Sequence, residues 1–244
     1  MLKIEHLTKH YKGSKKGITD LSLHIAPGDL YAFIGHNGAG KTTTLKCVTG
    51  IQDFDAGSVQ ICGIDLTKDP VLCKQQFAYI PDNPDIYEYL TGIQYLNFTA
   101  DVFKIGAAKR AERIRTYGDL FEITASLGDL ISSYSHGMKQ KLALLAALVH
   151  EPGLLILDEP FVGLDPKASV LLKDVMRGIC AKGGAIFFST HVLDVAEKLC
   201  NKVAIIKDGA LVTTGDMETV LKQGQSLESV FMEVAGDDKY DAAN

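Results

Sequence analysis

The chain has no long apolar run. Its most hydrophobic stretch, Leu142 to Val149, falls far short of the roughly 20 residues a membrane-crossing helix needs, so nothing in it is expected to cross a bilayer. It has no cysteine pair at CxxC spacing. The five cysteines (Cys47, Cys62, Cys73, Cys180 and Cys200) are odd in number and scattered, which argues against a disulfide framework or a thiolate zinc site and fits thiols in a reducing compartment. Positive charge is also scarce. Lys and Arg number 25 against 30 Asp and Glu, a net −5, so no basic surface covers the whole molecule and nucleic acid is not an expected partner. The opening MLKIEHLTKHYK is too charged for a secretory signal, and neither internal repeats nor low-complexity segments occur. What is present, 46% hydrophobic and 23% charged residues in 244, is an ordinary globular composition with enough chain for a substantial core in one or two domains.

Periodicity then sorts the chain. Leu21, Leu23 and Ile25 alternate with polar residues, as do Val59 and Ile61 between Gly57 and Gly63, which predicts half-buried strands of a small antiparallel sheet near the N-terminus. Tyr31 to Ile34, Leu154 to Leu157 and Ala185 to Phe188 are unbroken apolar runs, as suits a parallel sheet covered on both faces. Polar residues or glycine follow each run, where an open α/β sheet presents its ligand-binding edge. From about Thr91 to Ser133 the chain reads as helical, with Tyr95, Phe98 and Val102 on one face and Ile114, Tyr117 and Phe121 on another. A helical subdomain, about 84–134, is therefore expected as an insertion in an α/β core spanning 1–235, followed by a frayed tail, 236–244.

Gly35-His36-Asn37-Gly38-Ala39-Gly40-Lys41-Thr42 fits the P-loop pattern. Glycines let consecutive N–H groups turn inward at a phosphate, and a helix over Thr42 to Thr49 adds its positive end. In such a loop Lys41 reaches the β- and γ-phosphates and Thr42 ligates Mg²⁺. Chance supplies the pattern in a chain of this size on the order of once in a hundred, and the preceding apolar strand makes chance less adequate still. Leu154-Leu155-Ile156-Leu157-Asp158-Glu159 is a second such strand, ending in two carboxylates. Alternation points them opposite ways, so Asp158 suits the magnesium shell and Glu159 the polarisation of the attacking water. By itself this would be an even choice with a plain acidic turn; beside the phosphate loop the chemical reading prevails. A guanine nucleotide is disfavoured because NKxD is absent, Asn201-Lys202 being followed by Val203-Ala204. Tyr11, upstream of the phosphate loop, offers a ring to stack on adenine or simply to pack at a strand end.

Further motifs carry a family resemblance. Ser135-His136-Gly137-Met138-Lys139-Gln140 resembles the signature motif of ABC ATPases, Phe161-Val162-Gly163-Leu164-Asp165 their D-loop, and Ser189-Thr190-His191 their switch histidine. The order of motifs matches that family over about residues 1–235. The signature differs from the usual LSGGQ in carrying His136 for glycine and Tyr134 for leucine; SHGMKQK is similar to bacterial members that pair with exporter-type membrane subunits. Ser135 and Gly137 stand where a helix, about Met138 to His150, begins, so unpaired N–H groups face outward.

The resemblance implies a P-loop NTPase fold with a mainly parallel central sheet, an N-terminal antiparallel β subdomain and an inserted helical subdomain. It implies ATP and Mg²⁺ as ligands, with the backbone from Gly35 to Thr42 and Thr43 around the phosphates. Asp82, in Tyr79-Ile80-Pro81-Asp82, stands where most members place a magnesium-touching glutamine, and offers a carboxylate oxygen with added negative charge. A head-to-tail dimer, homodimer or pseudo-dimer, is implied, in which the Ser135 turn of one copy closes over the γ-phosphate held by the other while His191 holds the water. So is a membrane-spanning subunit on a separate chain, docked near Asp82 to Phe103, which places the protein in the cytoplasm on the inner face of the membrane. A soluble ABC ATPase of the translation or DNA-repair type is the alternative, but this chain has neither their tandem units nor their long coiled coil. A small-molecule kinase would not need the signature or the histidine, and a degenerate interaction module would not hydrolyse ATP.

Overall fold

Strand-forming and helix-forming stretches alternate along most of the chain, and the computed structural model describes them at residues 1–13, 16–84, 86–222 and 224–236. The first part runs β1 (Leu2–His10), β2 (Gly17–Ile25), β3 (Leu30–Ile34), α1 (Lys41–Val48), β4 (Ala56–Ile61), β5 (Ile64–Asp65), α2 (Pro70–Lys74) and β6 (Phe77–Ile80). Helices follow, α3 (Gly92–Val102), α4 (Ala107–Leu120) and α5 (His136–Val149), with short 3₁₀ turns at Thr124–Ser126 and Ile131–Ser133. The chain then returns to β7 (Leu154–Asp158), α6 (Pro166–Ala181), β8 (Ala185–Thr190), α7 (Leu193–Leu199), β9 (Lys202–Lys207), β10 (Ala210–Asp216), α8 (Met217–Val220) and α9 (Leu227–Ala235).

The alternating segments form a four-stranded antiparallel sheet ordered β2-β1-β4-β5, with Leu21, Leu23 and Ile25 turned inward. The unbroken apolar runs sit in a six-stranded sheet ordered β10-β9-β3-β8-β7-β6, parallel except for β10 on its edge. One face packs Phe33, Ile156 and Phe187 against Leu2, Ile25 and Ile61 of the first sheet; the other packs Leu155, Leu157 and Phe188 against Leu144, Leu172 and Phe231 of the helices. With both faces covered, alternation has no role and every position of β3, β7 and β8 is buried. Each fully buried Leu, Ile or Phe among them contributes about 1.5–3 kcal/mol of transfer free energy.

A third apolar cluster, around Leu96, Ile114, Ile131 and Leu145, holds the helical insertion together. Helix α5 belongs to two clusters at once, Leu144 and Leu148 facing the sheet while Leu142, Leu145 and Ala146 face α3 and α4. It therefore joins the insertion to the core. Its far end is fixed where His150 stacks on Phe103, ring centroids 3.7 Å apart, with Nε2 3.3 Å from the Phe77 carbonyl.

Two expectations need correction. The face of α3 that enters the core is Gly92, Leu96 and Ala100; Phe98 and Val102 are exposed and Tyr95 is only half-buried. Gly92 sets this orientation, because a Cβ there would stand 2.4 Å from the Tyr134 hydroxyl and only a bare backbone lets the helix come so close. The helices beginning the two ligand motifs also start earlier than expected, α1 at Lys41 and α5 at His136, within the usual play of helix ends. The expected frayed tail lies outside the described residues beyond Gly236.

Candidate functional site

The phosphate loop leaves the middle of the six-stranded sheet and is held by its neighbours. Gly35 follows β3 so closely against β9 that a Cβ would lie 2.6 Å from the Ile206 carbonyl oxygen. Gly40 adopts φ 113°, open to glycine alone without strain. The Ala39 N–H donates to the His36 carbonyl at 3.1 Å, and the Gly209 N–H donates to the Ala39 carbonyl at 2.9 Å, which pins the loop to the β9–β10 turn. Helix α1 then starts with no side-chain cap at Gly40, leaving its first N–H groups for a ligand.

Lys41 is buried at the base of this loop. Its ammonium donates to the carbonyls of Gly35 at 2.7 Å and His36 at 3.3 Å, and stands 3.8 Å from Glu159 Oε1. Burial pulls its pKa below the ordinary lysine range, opposed by the negative charges of Glu159 and Asp158. The cation is thus held mainly by neutral carbonyls, for which a phosphate would be a stronger substitute.

Asp158 ends β7 and accepts a hydrogen bond from the Ser189 hydroxyl of β8. The expectation that it and Glu159 point apart does not hold at this strand end. Glu159 leaves β7 in the left-handed region with φ 48°, its N–H donating to Ser189 Oγ at 3.0 Å, and this turn brings its carboxylate back to the same cleft as Asp158. His191 reaches Glu159 across the strand ends, Nδ1 lying 3.0 Å from Oε2.

A cleft of about 370 Å³ gathers these groups. It is lined by Lys41, Thr42 and Thr43 of α1, by Asp158, Glu159 and Asp82, by Tyr11, and by His36, Asn37, Gly38 and Gly40 of the loop. Tyr11 is 38% exposed, its hydroxyl donating to Gln52 at 2.9 Å and lying 3.3 Å from Thr43 Oγ1. Gly35, Ala39 and His191 line an adjoining cleft of about 760 Å³. Lys16, just before β2, and Gly17, its first residue, border both clefts, and no motif in the sequence marks either. Ser135 and Gly137 line neither. Ser135 is exposed and caps α5, its Oγ accepting from the Met138 N–H at 3.3 Å.

The oxygen donors at the cleft, the Thr42 hydroxyl and the carboxylates of Asp158 and Asp82, are hard ligands. No cluster of three or more His, Cys, Asp or Glu suited to a metal occurs among the described residues. That combination fits Mg²⁺ taken up with substrate phosphates and water rather than caged by protein alone. No helix among the described residues is long and apolar enough to cross a membrane.

Comparison with known proteins identifies the family. The ABC transporter family model matches residues 18–162. The ABC-type transporter ATP-binding protein EcsA of Bacillus subtilis (strain 168) is 31% identical over 242 residues, covering 98% of each chain. The Nod factor export ATP-binding protein I of Paraburkholderia xenovorans (strain LB400) is 32% identical over 214 residues, 88% of this chain and 70% of that one. A solved ATP-binding subunit of an ABC transporter superimposes with a TM-score of 0.91 at 33% identity, covering 96% of this chain and 99% of that one. The chain belongs to the ABC transporter family, in which it is an ATP-binding and ATP-hydrolysing subunit.

Proposed function

We propose that two copies of this chain, or this chain and a close relative, close head to tail on two ATP molecules and so drive export by a membrane-spanning subunit on a separate chain. The observation that carries the reading is the buried Lys41 ammonium, poised between loop carbonyls and Glu159 beside an open cleft. An arriving triphosphate takes over Lys41 and the uncapped N-terminus of α1, with Tyr11 against the adenine. Thr42, Asp158 and Asp82 would hold Mg²⁺, which when bound would neutralise phosphate charge. Freed from Lys41, Glu159 takes the proton of the attacking water, and His191 orients Glu159 and the water. Ser135 and Gly137 of the second copy cover the γ-phosphate, and hydrolysis releases them.

The partner surface is the aromatic group Tyr87, Tyr89 and Phe98, which are 46%, 76% and 49% exposed, with Tyr87 5.8 Å from Phe98 between ring centroids. So large an exposed apolar cluster suits docking, and a chain docked there would sit on the inner face of the membrane. Export is supported by the SHGMKQK form of the signature and by the relative named for Nod factor export.

The test is turnover of Glu159→Gln. Loss of a general base costs roughly 10²- to 10⁴-fold, and ATP affinity should stay within about twofold. Unchanged hydrolysis would remove Glu159 as the base; copurification of the chain with soluble proteins alone would remove the membrane partner.

A further inference from the structure

The signature turn and the loop after Glu159 touch within one chain, and the contact is made by the residue that departs from the family pattern. A Cβ built on Gly163 would stand 2.5 Å from His136 Cδ2 and 2.6 Å from Nε2, so the imidazole sits directly against bare backbone. Gly163 holds φ 79°, which only glycine adopts freely. A Cβ on Gly137 would in turn lie 3.2 Å from the Gly163 carbonyl oxygen. One turn along α5, Lys141 pairs with Asp165 at 3.0 Å. The near end of the same loop is tied to the catalytic carboxylate's own backbone, the Val162 N–H donating to the Glu159 carbonyl at 3.1 Å. On its other side His136 borders a pocket walled by Asn83, Pro84, Ile86 and Glu88, where Glu88 pairs with Lys139. That segment joins Asp82 to the exposed Tyr87.

We propose that His136 is a positioning residue that couples the two nucleotide sites of the dimer. Its ring transmits movement of the Ser135 turn, which covers one ATP, to the Gly163 loop, which sets Glu159 at the other. Helix α5 is buried on both sides, so a shift at its exposed first turn is passed on as a rigid displacement rather than absorbed. Lacking the ring, the turn still closes, but the loop no longer follows it.

This inference rests on the roles assigned above to Ser135 and Glu159. If those roles fail, Glu159→Gln keeps its turnover; if only the coupling fails, Glu159→Gln is inactive and the comparison below comes out flat. Steady-state ATP hydrolysis is measured for the native chain, His136→Gly, Gly163→Ala, the double variant and His136→Phe, alongside affinity for a fluorescent ATP analogue. His136→Gly should lose about three- to tenfold in kcat and its ATP dependence should become hyperbolic, with affinity within about twofold. Gly163→Ala should lose more than tenfold, and the double variant should outperform it because the collision is gone. His136→Phe, which keeps a ring, should retain most turnover and the native ATP dependence. The proposal is overturned if the losses of the two single variants multiply in the double, if His136→Gly matches the native chain, or if His136→Phe is as impaired as His136→Gly. Should Gly163→Ala fail to fold, the two His136 variants decide alone.

Discussion

Two helices of this molecule begin at ligand motifs, and they begin differently. Helix α1 starts from Gly40 with no side-chain cap and with the buried Lys41 beneath it; α5 starts from exposed Ser135, whose hydroxyl already caps it. In the proposed reading the first end is a phosphate site within its own chain, with free N–H groups and a cation in place. The second has its cap satisfied internally, yet a serine hydroxyl that accepts one hydrogen bond still has a proton to donate. The α1 end can therefore bind without help, whereas the α5 end has a use only against something brought to it. In the proposed head-to-tail dimer, one chain would supply half of each of two sites.

Substitution and acid probe the helix ends separately. Lys41→Ala attacks the self-sufficient end and should weaken ATP binding by about 100-fold, on the scale of a charge-assisted pair lost from a buried site; equilibrium titration with a fluorescent nucleotide checks it. Acid attacks the far end of α5. Burial lowers the pKa of His150 from its ordinary 6.5 to about 4, outweighing its contact with the Phe77 carbonyl. Because the folded form resists protonation, the stability is fully present above pH 6.5 and is lost as pH falls toward 4. At about 1.4 kcal/mol per unit, with some relief from solvent, about 2–3 kcal/mol is at stake. Thermal unfolding between pH 7 and 4 should show this loss, and His150→Leu should flatten it. Smallest is Ser135→Ala, which should cost about 1 kcal/mol of stability through the lost cap and about tenfold in turnover while leaving the affinity of the lone chain unchanged. A large fall in that affinity would mean that Ser135 serves its own chain's nucleotide.

What the sequence made legible follows the same division. The phosphate loop and the Asp158–Glu159 pair are contiguous motifs that can be found by pattern alone, and the buried runs of β3, β7 and β8 announced the central sheet. Less legible was whatever depends on packing between distant segments. The exposed aromatic side of α3 has the better helical periodicity, but the core chose the side with Gly92 because closeness to Tyr134 mattered more than apolar area. The turn of Glu159 into the cleft comes from φ 48° held by Ser189 thirty residues on, which strand alternation cannot foresee. Lys16 reaches the site through the β1–β2 connection, with no motif of its own to mark it.

The most direct test of the central claim is the mass of Glu159→Gln with and without Mg-ATP, by light scattering on a sizing column. The two-half-site account predicts the mass of one chain without nucleotide and of two chains with it, reverting to one when Ser135→Ala is added. A single-chain mass with saturating Mg-ATP bound would contradict it.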